Sequence, residues 1–127
     1  MQIESEFFAA KLPSEPGWSG NFFQYCDFKA VVEEGGNVDS VFNGCTFAGC
    51  DWYWTLFNLA TFVRSKFVGC KFRGCNLAGC ILVECEFIDC EFTIDSFGGG
   101  CSFKDTRVYA CSIQNTTGAE GLLERAL

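Results

Sequence analysis

Histidine is absent from this chain of 127 residues, methionine occurs once and proline twice. Without imidazole the chain lacks the commonest general base near neutral pH and the commonest nitrogen ligand for a metal. No apolar run is long enough to span a bilayer. The opening MQIESEFF has no basic region followed by an apolar stretch, so neither a membrane helix nor a secretory leader is expected. That predicts a cytoplasmic protein whose cysteines stay reduced. Basic residues are also scarce, nine against sixteen acidic ones, for a net charge of −7. Such a balance disfavours direct binding of nucleic acid, whose phosphates need a basic surface. It permits a surface that imitates nucleic acid.

What is abundant is phenylalanine, with 15 copies, and cysteine, with 10. Both keep one period. In "CKFRGCNLAGCILVECEFIDCEF" a cysteine stands at every fifth residue from Cys70 to Cys90, and a large apolar residue follows each two places later. The large position runs unbroken from Phe42 through Trp52, Phe62, Phe72 and Leu82 to Phe97, and resumes one residue late at Phe103, Val108 and Ile113. Upstream, Phe23, Phe28 and Val38 hold a further register, which Glu33 interrupts. A period of five suits neither a helix, around which such residues would spiral, nor a straight strand, which would throw alternate ones outward. A chain that bends at every repeat keeps them all inside. Such repeats stack as a solenoid.

The pattern of a small residue, a variable one and a large apolar one, followed by a two-residue corner, resembles the pentapeptide-repeat family over roughly residues 21 to 115. The resemblance implies an all-β fold, a right-handed quadrilateral parallel β-helix with twenty residues per coil. Residues 1–20 are then expected to cap the first coil, 21–115 to form the helix, and 116–127 to close it with a short C-terminal helix. In the closing segment Thr117 and Glu120 have the spacing of a capping box, and Leu122, Leu123, Ala126 and Leu127 form an apolar face that plugs the core or mediates a homodimer.

With twenty residues per coil, Cys50, Cys70, Cys90 and, after one inserted residue, Cys111 are expected in one column, and Cys80 with Cys101 in another. Neighbours in a column point the same way about 4.8 Å apart, too far and too parallel for a disulfide. Parallel columns do not converge on a metal, and no C-x-x-C pair is present. The thiols are therefore read as small core residues. No catalytic residue, cofactor or metal is expected, because the sequence has no nucleophile motif and no phosphate loop on a strand–helix junction.

Function is then left to the outward positions. Glu84, Glu86, Asp89 and Glu91 face Arg64, Lys66, Gly69 and Lys71 of the coil before, with Arg107 expected near Glu86. This predicts a charge ladder in which only Asp89 lacks a partner. Two apolar clusters remain: Tyr53, Trp54, Leu56 and Leu59 in one, Val63, Val68, Val83, Ile88 and Tyr109 in the other. Exposed aromatics of this kind mark protein interfaces. The expected function is a non-enzymatic inhibitor or immunity protein that binds and neutralises a toxin or a DNA-acting enzyme of nuclease type. The partner is a protein, with no nucleic acid or membrane contacted directly. The alternatives are a DNA mimic acting on gyrase, as the resemblance to quinolone-resistance proteins implies, and a passive scaffold.

Overall fold

The computed structural model describes residues 1–123 and contains sixteen three-residue strands and one short helix. All strand pairs are parallel, and the strands form three sheets that wrap one core. The first sheet stacks β1 (Gln2–Glu4), β3 (Phe22–Gln24), β6 (Val41–Asn43), β9 (Thr61–Val63), β12 (Ile81–Val83) and β15 (Arg107–Tyr109). The second stacks β2 (Phe7–Ala9), β4 (Asp27–Lys29), β7 (Thr46–Ala48), β10 (Lys66–Val68), β13 (Glu86–Ile88) and β16 (Ser112–Gln114). The third holds β5 (Val32–Glu34), β8 (Asp51–Tyr53), β11 (Lys71–Arg73) and β14 (Glu91–Thr93). A fourth side is made only of single bridges from Asn37 through Leu56 and Asn76 to Ser102. There the chain turns tightly: Ala60 N–H donates to Phe57 C=O, and Cys80 N–H to Leu77 C=O. The result is a solenoid of about five turns.

Each strand is centred on its large residue, which points inward while its neighbours point out. The residue two places after it turns the corner in the left-handed region, as at Arg64 (φ 47°), Glu84 (φ 53°) and Gly69 (φ 64°). Because successive coils are in register, like rings lie over like. Phe28, Phe47, Phe67 and Phe87 stack with centroids 4.6 to 4.8 Å apart, close to the spacing of the rungs themselves. Glu33 keeps its place in register beside Trp52, and its carboxylate accepts a hydrogen bond from the indole of Trp18 at 3.1 Å.

The register corrects several expectations. The first coil starts at Gln2, since β1 and β2 pair with β3 and β4, so residues 1–10 supply rungs and not a cap. From the expected capping segment Ile3, Leu12 and Trp18 enter the core, and Phe8 packs against it. Downstream, Leu82 pairs with Val108, 26 residues on, so the insertion is six residues and not one. Phe97 therefore leaves the core and is 82 % exposed. The thiol columns shift with it. Ser102 N–H bonds Cys75 C=O and Ser112 N–H bonds Cys85 C=O, which sets Cys101 over Cys75 and Cys111 over Cys85. Arg107 lies beside Ile81, far along the rung from Glu86, which pairs with Ser112.

At the closing end Thr117 is a rung that bridges Glu91, and the helix begins only at Glu120, so the expected capping box is not formed. Gly118 makes this closure: with φ at +74°, an added Cβ would fall 1.8 Å from the Phe92 carbonyl oxygen. Leu122 is buried against the core, while the Leu123 side chain, Ala126 and Leu127 lie outside the described residues.

All ten cysteines are free, and they do more than fill space. Nine thiols donate to the carbonyl of the large residue one coil earlier, as Cys70 does to Phe47 at 3.2 Å and Cys85 to Phe62 at 3.2 Å. Where the column holds Ser65 or Thr106 instead, the hydroxyl donates to the same acceptor. The small inward position is thus a small donor that adds a hydrogen bond to a buried carbonyl. Burial pushes the Cys45 thiol up to about 12 and Cys80 higher still. Cys101 and Cys111 differ. Each is partly exposed, and the neighbouring thiol of the coil below, Cys75 or Cys85, together with nearby backbone N–H groups lowers it to about 7. In a native chain at pH 8, two thiols should therefore react quickly with an alkylating reagent and eight should wait for denaturant. Because the fast pair is held low, its rate should fall as pH drops through about 7, where an ordinary thiol is already mostly protonated. Mass spectrometry of the time course identifies the modified positions; even labelling of all ten would contradict this packing.

Candidate protein-binding site

The inserted residues build a feature that the regular coil does not have. The chain leaves the third sheet after Thr93 and rejoins the solenoid at Cys101. Asp95 organises what lies between. Its Oδ1 accepts from the backbone N–H groups of Phe97 and Gly99, both at 2.8 Å, and its own N–H donates to Gly99 C=O. The other carboxylate oxygen, Oδ2, accepts from the indole N–H of Trp54 at 2.8 Å. Those donors, the Trp54 indole foremost, hold the Asp95 carboxyl below its ordinary range.

Trp54 is itself a corner residue, held at φ 58° in a region that bulky side chains rarely occupy. The corner one coil later is Gly74. A Cβ there would come within 2.8 Å of the Asp95 Cβ and 3.2 Å of Trp54 Cδ1, so glycine leaves the space in which indole and loop meet. Tyr53 fastens the loop a second time: its hydroxyl donates to Ser96 Oγ at 2.9 Å and accepts from Ser96 N–H at 3.0 Å. Arg73 completes the row. Its guanidinium sits 4.8 Å from the Tyr53 ring centroid while Nε and Nη2 grip the Asp51 carboxylate at 3.1 and 3.2 Å.

An edge of stacked planar groups results. Tyr53 and Trp54 lie 4.8 Å apart, and Phe97 stacks on Trp54 at 5.7 Å with an angle of 13° between the planes. Trp54 is 42 % exposed. These groups line a groove of about 380 Å³ together with Val32, the acidic Glu33 and Glu34, and Arg73, whose charge Asp51 pairs. The groove offers recognition of an apolar side chain next to a cation. Its one hydroxyl apart from Tyr53, that of Ser96, is already bonded to Tyr53.

The ten residues singled out in the sequence fall into separate places. Tyr53 and Trp54 join Phe97, which the sequence pattern puts in the core. Leu56 belongs to the bridged fourth side, and Leu59 is a fully outward corner, 77 % exposed, packed over Gly79. Val63, Val83 and Tyr109 stack on the first sheet, Val68 and Ile88 on the second. Asp89 lies at the far edge of the third sheet and is not alone, because Asn115 Nδ2 donates to it at 2.6 Å.

The charge ladder is also thinner than expected. Lys66 reaches Glu86 at 4.0 Å, but Arg64 bonds Asn43 and not Glu84, and Lys71 stands in register between Asp51 and Glu91 without closing an ion pair among the described residues. The Asp51–Arg73 pair lies outside the expected ladder. For Phe97 the sequence does hold a signal: removing Ile94 to Gly99 converts "FTIDSFGGGC" into "FTGC", the counterpart of "FRGC" at Phe72 to Cys75.

The pentapeptide-repeat family model matches residues 38–74 and 70–93, in eight copies. Over those residues the chain is built of pentapeptide repeats. Among solved structures it is similar to a pentapeptide repeat protein, Rfr23, from the cyanobacterium Cyanothece 51142. That match has 13% identity and a TM-score of 0.66, covering 91% of this chain and 82% of the other. It is also similar to a trypsin-treated variant of QnrB1, a plasmid-mediated fluoroquinolone resistance protein. There the identity is 16% and the TM-score 0.56, over 91% of this chain and 52% of the other. At these identities the likeness is one of fold. No curated protein matches the sequence. Among the described residues no helix is long and apolar enough to cross a membrane.

Replacing Asp95 with alanine should raise hydrogen exchange at the Phe97 and Gly99 amides at least tenfold and leave the sheets unchanged. In the native chain a depressed carboxyl means that this order persists above the usual carboxylate value and is lost only as pH falls below it. Exchange at these two amides that ignores both the substitution and acid would contradict the Asp95 assignment.

Proposed function

We propose that the protein is a non-catalytic binder that captures a basic protein partner at the Tyr53–Trp54–Phe97 edge and thereby neutralises it. The reading is of an inhibitor or immunity protein, acting in the cytoplasm on a toxin or DNA-acting enzyme of nuclease type. The observation that carries it is Phe97, a phenylalanine held in solvent by an ordered loop and stacked on an exposed tryptophan. An apolar ring fixed outside the core contributes little to folding. Fixed in advance, it loses little entropy when a partner covers it. Charge supports the basic partner: of the first 60 residues eight are acidic and two basic, and Glu33 and Glu34 flank the groove itself. Such a surface speeds encounter with a cation-rich protein.

The fold shared with a fluoroquinolone resistance protein favours a second reading, imitation of DNA on gyrase. Against it stand the pairing of Lys66 with Glu86 and of Arg73 with Asp51, which interrupts any continuous acidic face.

Capture from the native host, followed by assay of the purified partner's activity with and without this protein, tests the proposal. Trp54→Ala and Phe97→Ala should each weaken binding by about 2 kcal/mol or more with folding intact. Reversing Glu34 to lysine should mainly slow association and flatten its salt dependence. Inhibition of gyrase supercoiling at equimolar protein, with Trp54→Ala silent, would establish the second reading. A partner bound but left fully active would leave only a scaffold.

A further inference from the structure

The first sheet stands apart from the others in charge. None of the eight outward positions on β3, β6, β9 and β12 is charged, whereas the matching positions on β4, β7, β10 and β13 include Asp27, Lys29, Lys66 and Glu86. Phe22, Val41, Val63, Ile81 and Val83 give it an apolar surface, and Phe22 is more than a third exposed. The charges sit at its two ends and are opposite. Glu4 lies on the first rung and Arg107 on the sixth, and neither closes an ion pair among the described residues.

From this arrangement we propose that the first sheet is the contact surface for a second copy of the chain, packed face to face with the two solenoids antiparallel. A two-fold axis between β6 and β9, perpendicular to the stack, sets β1 of one copy against β15 of the other, β3 against β12 and β6 against β9. Phe22 then meets Ile81, and Glu4 lies within side-chain reach of Arg107 at both ends. Parallel solenoids would instead set Glu4 on Glu4 and Arg107 on Arg107, so the charges select the antiparallel arrangement. Six rungs at ~4.8 Å extend about 24 Å, and a face one strand wide and this tall offers less than the ~800 Å² per partner of a standard interface. The dimer is therefore weak and concentration-dependent. It leaves the Tyr53–Trp54–Phe97 edge, on another side of the solenoid, free for a different partner.

Sedimentation equilibrium of the full chain from about 1 µM to about 500 µM tests this directly. A monomer–dimer equilibrium is expected, weakened about tenfold or more by Val83→Lys and also by Thr61→Lys, which alters a position already polar and so spares the fold. Glu4→Arg and Arg107→Glu should each weaken it several-fold, and the two together should restore it. A photo-crosslinking p-benzoylphenylalanine at Gln24 should join the peptide containing Val83 of the other copy. A monomer throughout the range would overturn the proposal. So would a dimer indifferent to both lysine variants, or Gln24 cross-linked to its own counterpart.

Discussion

Backbone hydrogen bonds hold each parallel rung near ~4.8 Å from the rung before it, which brings side chains at matching positions one over another. The rest of the structure depends on that spacing. Phe28, Phe47, Phe67 and Phe87 repeat at 4.6 to 4.8 Å with nearly parallel planes, so that column of the core is filled by stacking identical shapes. Each corner must turn the chain onto the next side within two residues, which sends the residue after every strand but β14 into the left-handed region. The second inward position is left with room for a small side chain only. It also faces the carbonyl of the large residue one coil earlier, and the thiol or hydroxyl there donates to it.

That division explains what is legible in the sequence. A five-residue period with alternating small and large members admits one architecture, and the parallel sheets, the inward phenylalanines and the pairing of Lys66 with Glu86 all follow from it. What the period does not encode is how much chain lies between two coils when it lapses. Phe97 falls on the beat by coincidence and suggests a one-residue slip, which displaces every expectation downstream of it by five positions. Cys111, Cys101 and Arg107 each have a different neighbour from the expected one for that single reason. The thiol hydrogen bonds are hidden for another reason: packing alone accounts for a small residue, and the acceptor is on a different coil. At the N-terminal end Ile3 and Phe8 carry the beat without a preceding cysteine, so the cysteine pattern leaves them outside the solenoid.

The site has the opposite character to the fold. It exists where the repeat fails, on a loop that satisfies its own backbone through Asp95 and leans on two aromatics of an earlier coil. A solenoid with few internal degrees of freedom makes a firm base for such a loop, and the firmness is what gives an exposed ring value as an anchor. The acidic early coils add attraction at a distance. Scaffold and recognition are thus separable.

Excision of Ile94 to Gly99 tests that separation most directly, because it leaves Gly100 at the corner where Gly74 stands one coil earlier. The shortened chain should retain its circular dichroism and a single cooperative melting transition, and should no longer capture the partner that the full chain captures. A shortened chain that fails to fold would contradict the six-residue register. One that folds and still binds would contradict the placement of recognition on the loop.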